Sequence, residues 1–131
     1  MKKRSKIILA AVIIFIVIFG AGFLLLGKDK ALGLEIGAPD IPELRDGVYI
    51  GSYSGHRWSN TVEVTVKDGR ITAIDVIEPQ KTASEETIEA VKGEIIASQT
   101  PAVDAVSGAT ADSNAFMKAV ENALKNGVTA E

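Results

Sequence analysis

Twenty consecutive residues, Ile7 to Leu26, carry no charged side chain. At 1.5 Å rise per residue a helix of that length spans roughly 30 Å, the thickness of a bilayer's hydrocarbon core. The run therefore reads as a transmembrane helix, and it divides the chain into a short leader and everything that follows. Lys2, Lys3, Arg4 and Lys6 precede it, whereas only Lys28 and Lys30, with Asp29 between them, follow. By the positive-inside rule the basic segment 1–6 stays in the cytoplasm and the rest of the chain lies outside. A cleavable signal peptide is the rival reading. Its apolar region would be shorter and end in a small-x-small site, but here Phe23, Leu24, Leu25 and Leu26 continue past Gly20 and Gly22.

With 131 residues in all, the remainder suffices for one small domain. The chain has no cysteine, which rules out disulfides, thiolate metal sites and Fe–S clusters. Four of its 14 Lys and Arg precede the apolar run, so residues 28–131 hold 10 basic against 17 acidic side chains, a net charge of −7. Such a domain is a poor match for nucleic acid or an anionic lipid surface, which need basic faces. Gly27 to Leu44 contains three glycines and two prolines and no sustained period, and reads as a flexible tether of 18 residues. A coil of that length has an end-to-end distance of roughly 20–25 Å.

From residue 45 onward the pattern is that of an α+β domain, an antiparallel sheet with packed helices. Gly47 to Tyr53 is rich in β-formers. Thr61 to Val66 alternates strictly, with Val62, Val64 and Val66 on one face. Asp68-Gly69 suits a type I′ turn, and Ile71 to Ile77 returns as the partner strand of a hairpin. Ile88, Val91, Ile95 and Ile96 then line one side of a helix that starts at Thr82 or Ser84 and contains Gly93. A second helix is expected from about Asn114 to Asn126, with Asp112 or Ser113 as its cap and Gly127 as its stop.

Between the two helices lies Asp104-Ala105-Val106-Ser107-Gly108-Ala109-Thr110. Its small residues let a bulky group approach the backbone. Ser107 and Thr110 offer hydroxyls, and the nearby helix start favours a phosphate through its free N–H groups and dipole. The lone histidine, His56, is far away in sequence, and no neighbouring base is placed to activate either hydroxyl. Covalent chemistry here therefore needs another enzyme.

The heptapeptide resembles the signature of the FMN-binding domain family: Asp, a small residue, any residue, Ser or Thr, Gly or Ser, Ala, and a final Thr or Ser. That family includes the periplasmic flavin subunits of sodium-translocating NADH:quinone reductases and of Rnf complexes, and extracellular electron-transfer flavoproteins. The likeness extends over roughly residues 46–126. It takes in Asp46-Gly47-Val48-Tyr49-Ile50-Gly51, the hairpin, and the helix from Ser113 to Leu124. Ala105 departs from the more usual glycine. The resemblance implies that Thr110 is esterified to the phosphate of FMN by a flavin transferase that uses FAD and Mg²⁺. It places Asp104, Ser107, Gly108 and Ala109 around the cofactor. Asp104 is then either part of what the transferase reads or an ordinary loop aspartate. It further implies an electron carrier facing out of the cell, exchanging electrons with redox partner proteins or a quinone reductase. A covalent link suits a compartment in which free FMN is scarce, where a noncovalent site would empty.

Other features carry less. Tyr53 and Trp58 either stack on a flavin ring or pack in the core, and His56 either tunes the flavin or is simply exposed. Glu85, Glu86 and Glu89 suit a helix's first turn better than a metal site. No phosphate-binding Gly-rich loop, zinc motif, nicotinamide site or basic nucleic-acid patch is present, which favours a carrier over a stand-alone enzyme. The alternative to the flavin reading is an unflavinylated, membrane-tethered interaction module in which Ser-Gly-Ala-Thr is only a tight loop before a helix.

Overall fold

The computed structural model describes residues 2–129. Met1 and residues 130–131, the outermost positions of the basic leader and of the domain, lie outside the described residues. The first helix, α1 (Lys2–Leu24), is long and apolar enough to cross a membrane, and none of it is buried against the rest of the chain. It ends two residues before the apolar run does. A turn at Gly27, with φ of 87°, leads into the short helix α2 (Lys28–Leu32).

The domain is α+β. Strands β1 (Gly47–Tyr53), β2 (Asn60–Lys67) and β3 (Arg70–Glu78) form an antiparallel sheet in sequence order. Between β2 and β3, Asp68 and Gly69 have φ of 53° and 72°, the two positive values that the Asp-Gly turn requires. Asp46 steadies the turn by accepting the Asp68 N–H at 2.8 Å. Val62, Val64 and Val66 point inward with Ile71 and Ile74, while Thr61, Glu63 and Thr65 alternate on the other face.

Two longer helices cover the inner face. The first, α3 (Glu85–Ser98), turns Val91 and Ile95 into the core and is capped by Ser84, whose hydroxyl accepts the Thr87 N–H at 3.2 Å. Thr82, the other candidate cap, bonds elsewhere. Gly93 is exposed, and a Cβ there would meet nothing within 4 Å. Gly93→Ala should therefore raise stability by about 0.5–1 kcal/mol through helix propensity alone. A urea titration followed by Trp58, the chain's one tryptophan and 95% buried, checks it by a higher midpoint.

The second, α4 (Thr110–Thr129), is the backbone of the domain. Ala115, Phe116, Ala119, Val120, Ala123 and Leu124 are all buried on β1 and β2. Its alanines let it settle so closely that an added Cβ on Gly51 of β1 would collide with the backbone of Ala119 and Ala123. Asn122 and Asn126 reach past them to donate to the carbonyls of Ser52 and Ile50, each at 2.8 Å. The open edge of β1 is thereby closed.

Two expectations need correction here. The helix begins at Thr110, four residues before the expected start, and runs through Gly127 instead of stopping there. Ser113 and Asp112 are not its caps: Ser113 Oγ is spent on the Val106 N–H at 3.0 Å, and the Asp112 carboxylate accepts from Thr82 at 2.7 Å. The second correction concerns Gly27 to Leu44, which is no free tether. Ala31, Ile41 and Leu44 are buried in the same core as the strands, with Leu34 and Ile36 packed against it. Asn114 donates to the carbonyls of Ala31 and Leu32, and Lys118 to that of Glu35.

Glu121 closes this contact. It is 98% buried, pairs with Lys118 at 2.7 Å and Lys125 at 3.1 Å, and accepts the Gly37 N–H at 2.9 Å. Burial by itself would raise its pKa. The two lysines and the Gly37 amide outweigh that and hold the carboxyl below its usual range. A depressed carboxyl pKa contributes stability that is complete above the unfolded value of about 4.3 and is lost as pH falls through the lower folded value. Glu121→Gln should thus be less stable at pH 7 and lose less on acidification from pH 5 downward. Parallel urea midpoints across that range test it, and parallel acid limbs in the two proteins would refute it.

Candidate functional site

The signature heptapeptide forms the turn into α4. The Ala109 N–H donates to the Val106 carbonyl at 2.9 Å, which closes a four-residue turn with Gly108 third, at φ of 80°. A third position with positive φ is what a type II turn asks of glycine. The Ala109 carbonyl in turn accepts the Ser113 N–H at 2.9 Å as the first bond of the helix. Thr110 therefore stands at the helix start, exposed, where the first amides have no acceptor within the helix.

Several side chains from the sheet side fix that helix start. Gln80, just beyond β3, donates to the Asp112 carbonyl at 2.9 Å, and Asn60 at the head of β2 donates to the Ala115 carbonyl at 3.1 Å. Both amides are buried. Together with the Thr82–Asp112 and Ser113–Val106 bonds they hold the first turn and a half of α4 from several directions. The backbone at Thr110 is consequently positioned by the packed core and not by the loop alone.

Beside it lies an open cleft of about 380 Å³, lined by Lys28, Leu32, Trp58, Thr82 and the run from Gly108 to Asp112. Of the five residues singled out by the signature, Gly108, Ala109 and Thr110 line this cleft, whereas Asp104 and Ser107 are exposed outside it. Of the two aromatics, Trp58 contributes a wall. Both rings pack in the core; Tyr53 lines no part of the cleft and lies under the Lys30 ammonium, 5.7 Å from its ring, and burial raises its pKa. His56 is exposed and lies against the Gly27 turn, outside the cleft.

Sequence reasoning misses five lining residues: Lys28 and Leu32 of α2, Thr82 and Asp112, and Ala111 just beyond the heptapeptide. The first pair lies in a segment with the composition of a tether, and the second pair has the look of helix caps. Asp112 also brings a carboxylate close to Thr110, although its Oδ1 is already taken by Thr82. Among the described residues no group of three or more His, Cys, Asp or Glu is placed to hold a metal ion.

The chemistry of this lining suits a phosphate ester. An exposed secondary hydroxyl, free helix amides, a lysine and an open approach over Gly108 stand together, and an indole is available beside them. The cleft volume falls within the range of small-molecule sites.

The chain is 36% identical over 85 residues to an uncharacterized protein of Treponema pallidum (strain Nichols), a match that covers 63% of this chain and 24% of the other, so the chain spans about a quarter of that relative's length. The fold is similar to the crystal structure of the CPE2226 protein from Clostridium perfringens, with a TM-score of 0.53 and 23% identity, over 67% of this chain and 92% of that one. The family model of the FMN-binding domain matches residues 55–125, from the loop after β1 through most of α4. That match takes in more than half of the sequence and the whole of the turn that presents Thr110, and the chain belongs to the FMN-binding domain family.

Proposed function

We propose that Thr110 carries FMN through a phosphoester, and that the domain is a membrane-anchored electron carrier held outside the cytoplasm by α1. The observation that carries this reading is the placement of Thr110: an exposed hydroxyl at a helix start, opening on a cleft, within the family's matched region. When bound, FMN supplies the one- and two-electron redox chemistry. The protein's share is to hold and shield it.

Attachment requires a flavin transferase with FAD and Mg²⁺. The Thr110 Oγ–phosphorus bond forms as the phosphoanhydride of FAD breaks. AMP leaves, and the hydroxyl proton passes to a base of the transferase or to water. The amides at the start of α4 would hold the phosphate, the lining from Leu32 and the edge of Trp58 would offer apolar surface to the rest of the group, and Gly108 leaves the approach open. The anchor keeps the carrier beside membrane partners such as a quinone reductase.

The test is to express the full chain with and without a flavin transferase and to measure intact mass in detergent. Attachment adds about 438 Da, FMN less one water, with flavin absorbance and quenching of Trp58 emission. An unchanged mass in the presence of an active transferase overturns the flavin reading and leaves a tethered interaction module. Protease added outside intact cells should remove the domain; full protection would reverse the proposed orientation.

A further inference from the structure

The cleft beside Thr110 is completed by a residue that neither the signature nor the family match contains. Lys28 is the first residue of α2, two positions beyond the apolar run, and lines the same cavity as Thr110. It is the one cation among the lining residues, and Asp112 is the one anion. No hydrogen bond or ion pair engages its ammonium among the described residues, and the Asp112 carboxylate is taken up by Thr82. Its placement is not incidental. The segment that bears it is fastened to α4 by the burial of Ala31 and by Asn114, which donates to the Ala31 and Leu32 carbonyls at 3.1 and 3.3 Å.

A phosphodiester on Thr110 would bring a permanent negative charge into a cleft that already holds Asp112. The helix amides would offset part of that repulsion, and a lysine lining the same cavity would offset more. We propose that Lys28 is the cationic contact for the phosphate of FMN, so that the cofactor is gripped between α4 and the segment leaving the membrane. This inference rests on the flavin reading above and adds to it a positioning residue in the juxtamembrane helix. It also puts the phosphate end of the cofactor within one small cavity of the residue that follows the membrane span.

The decisive measurement is the reactivity of the Lys28 amine toward an acylating reagent. It is made on the full chain in a maltoside detergent, which contains no phosphate, before and after FMN attachment. Modification of Lys28 should fall several-fold on attachment, with Lys67 at the hairpin end and Lys92 of α3, neither of which lines the cleft, unchanged. In parallel, Lys28→Ala should slow flavin transfer by roughly five- to tenfold, the size expected of a charge-assisted contact that is partly screened. Lys28→Glu should slow it further and Lys28→Arg should restore it, and added salt should slow the parent more than the alanine variant. Equal Lys28 reactivity in the two forms overturns this proposal while leaving attachment at Thr110 intact. Absence of any mass gain in the parent overturns the flavin reading, and this proposal with it.

Discussion

Thr110→Val should give a chain that folds as the parent does and takes up no FMN. Valine keeps the shape of threonine and removes only the oxygen that would bond to phosphorus. Thr110 is exposed and its side chain makes no hydrogen bond among the described residues, while the start of α4 is held by Gln80, Thr82, Asn60 and Ser113. Its replacement should therefore alter stability by no more than about 0.5 kcal/mol, as for other surface positions. The loss of the mass gain should be complete, because a covalent bond has no weaker form. Thr110→Ser keeps a hydroxyl at the same place and should still be modified. Intact mass and the urea midpoint, read on the same preparations, separate loss of the acceptor from loss of the fold. A valine variant that still gains about 438 Da would move the attachment elsewhere, with Ser107, exposed three residues earlier but outside the cleft, as the next hydroxyl to replace.

Much of this site is legible in the amino-acid sequence alone, and the reasons are physical. Strict alternation in Thr61 to Val66, the Asp-Gly turn and the 3.6-residue stripe from Phe116 to Leu124 are local signals, and each forms the element it implies. The turn before Thr110 is legible because its features are local too: a glycine at positive φ, small neighbours, and a helix directly behind. What escapes are the places where a side chain has two uses. Asp112 and Ser113 are good caps in isolation, but in the fold each bonds a more distant partner, so the helix begins earlier and Thr110 comes to its first position. Gly27 to Leu44 misleads for a different reason. Its glycines and prolines break any period, and burial of Ala31, Ile41 and Leu44 depends on surfaces supplied by strands and by α4 far along the chain. A signal is present all the same, since Leu32, Leu34 and Ile36 alternate with polar or small residues in a stretch that a true tether would fill with polar ones. Taken as apolar contacts, they bring Lys28 toward the domain.

Gly51→Val should all but unfold the domain, and even Gly51→Ala should cost about 3 kcal/mol or more. What the new Cβ would strike decides the size of the effect. At Gly51 the obstruction is the backbone of Ala119 and Ala123 in the middle of α4, on the inner face of the sheet. A flexible side chain could swing aside, but backbone inside a helix moves only with the whole element. Lifting α4 from β1 would strip Phe116, Val120 and Leu124 of their contacts with the sheet and draw Asn122 and Asn126 away from the carbonyls of Ser52 and Ile50. Against a total stability of some 5–15 kcal/mol for a domain of ordinary stability, that is a large share. The same glycine-to-alanine change at Gly93, where a Cβ meets nothing, should act in the opposite direction. Comparing the two in one urea series, with Trp58 emission as the reporter, removes any general effect of alanine. A Gly51→Ala midpoint equal to the parent's would mean that α4 does not sit this close to β1. In that case Thr110, at the head of the same helix, would be placed differently too, because the helix that presents its hydroxyl is seated by this contact.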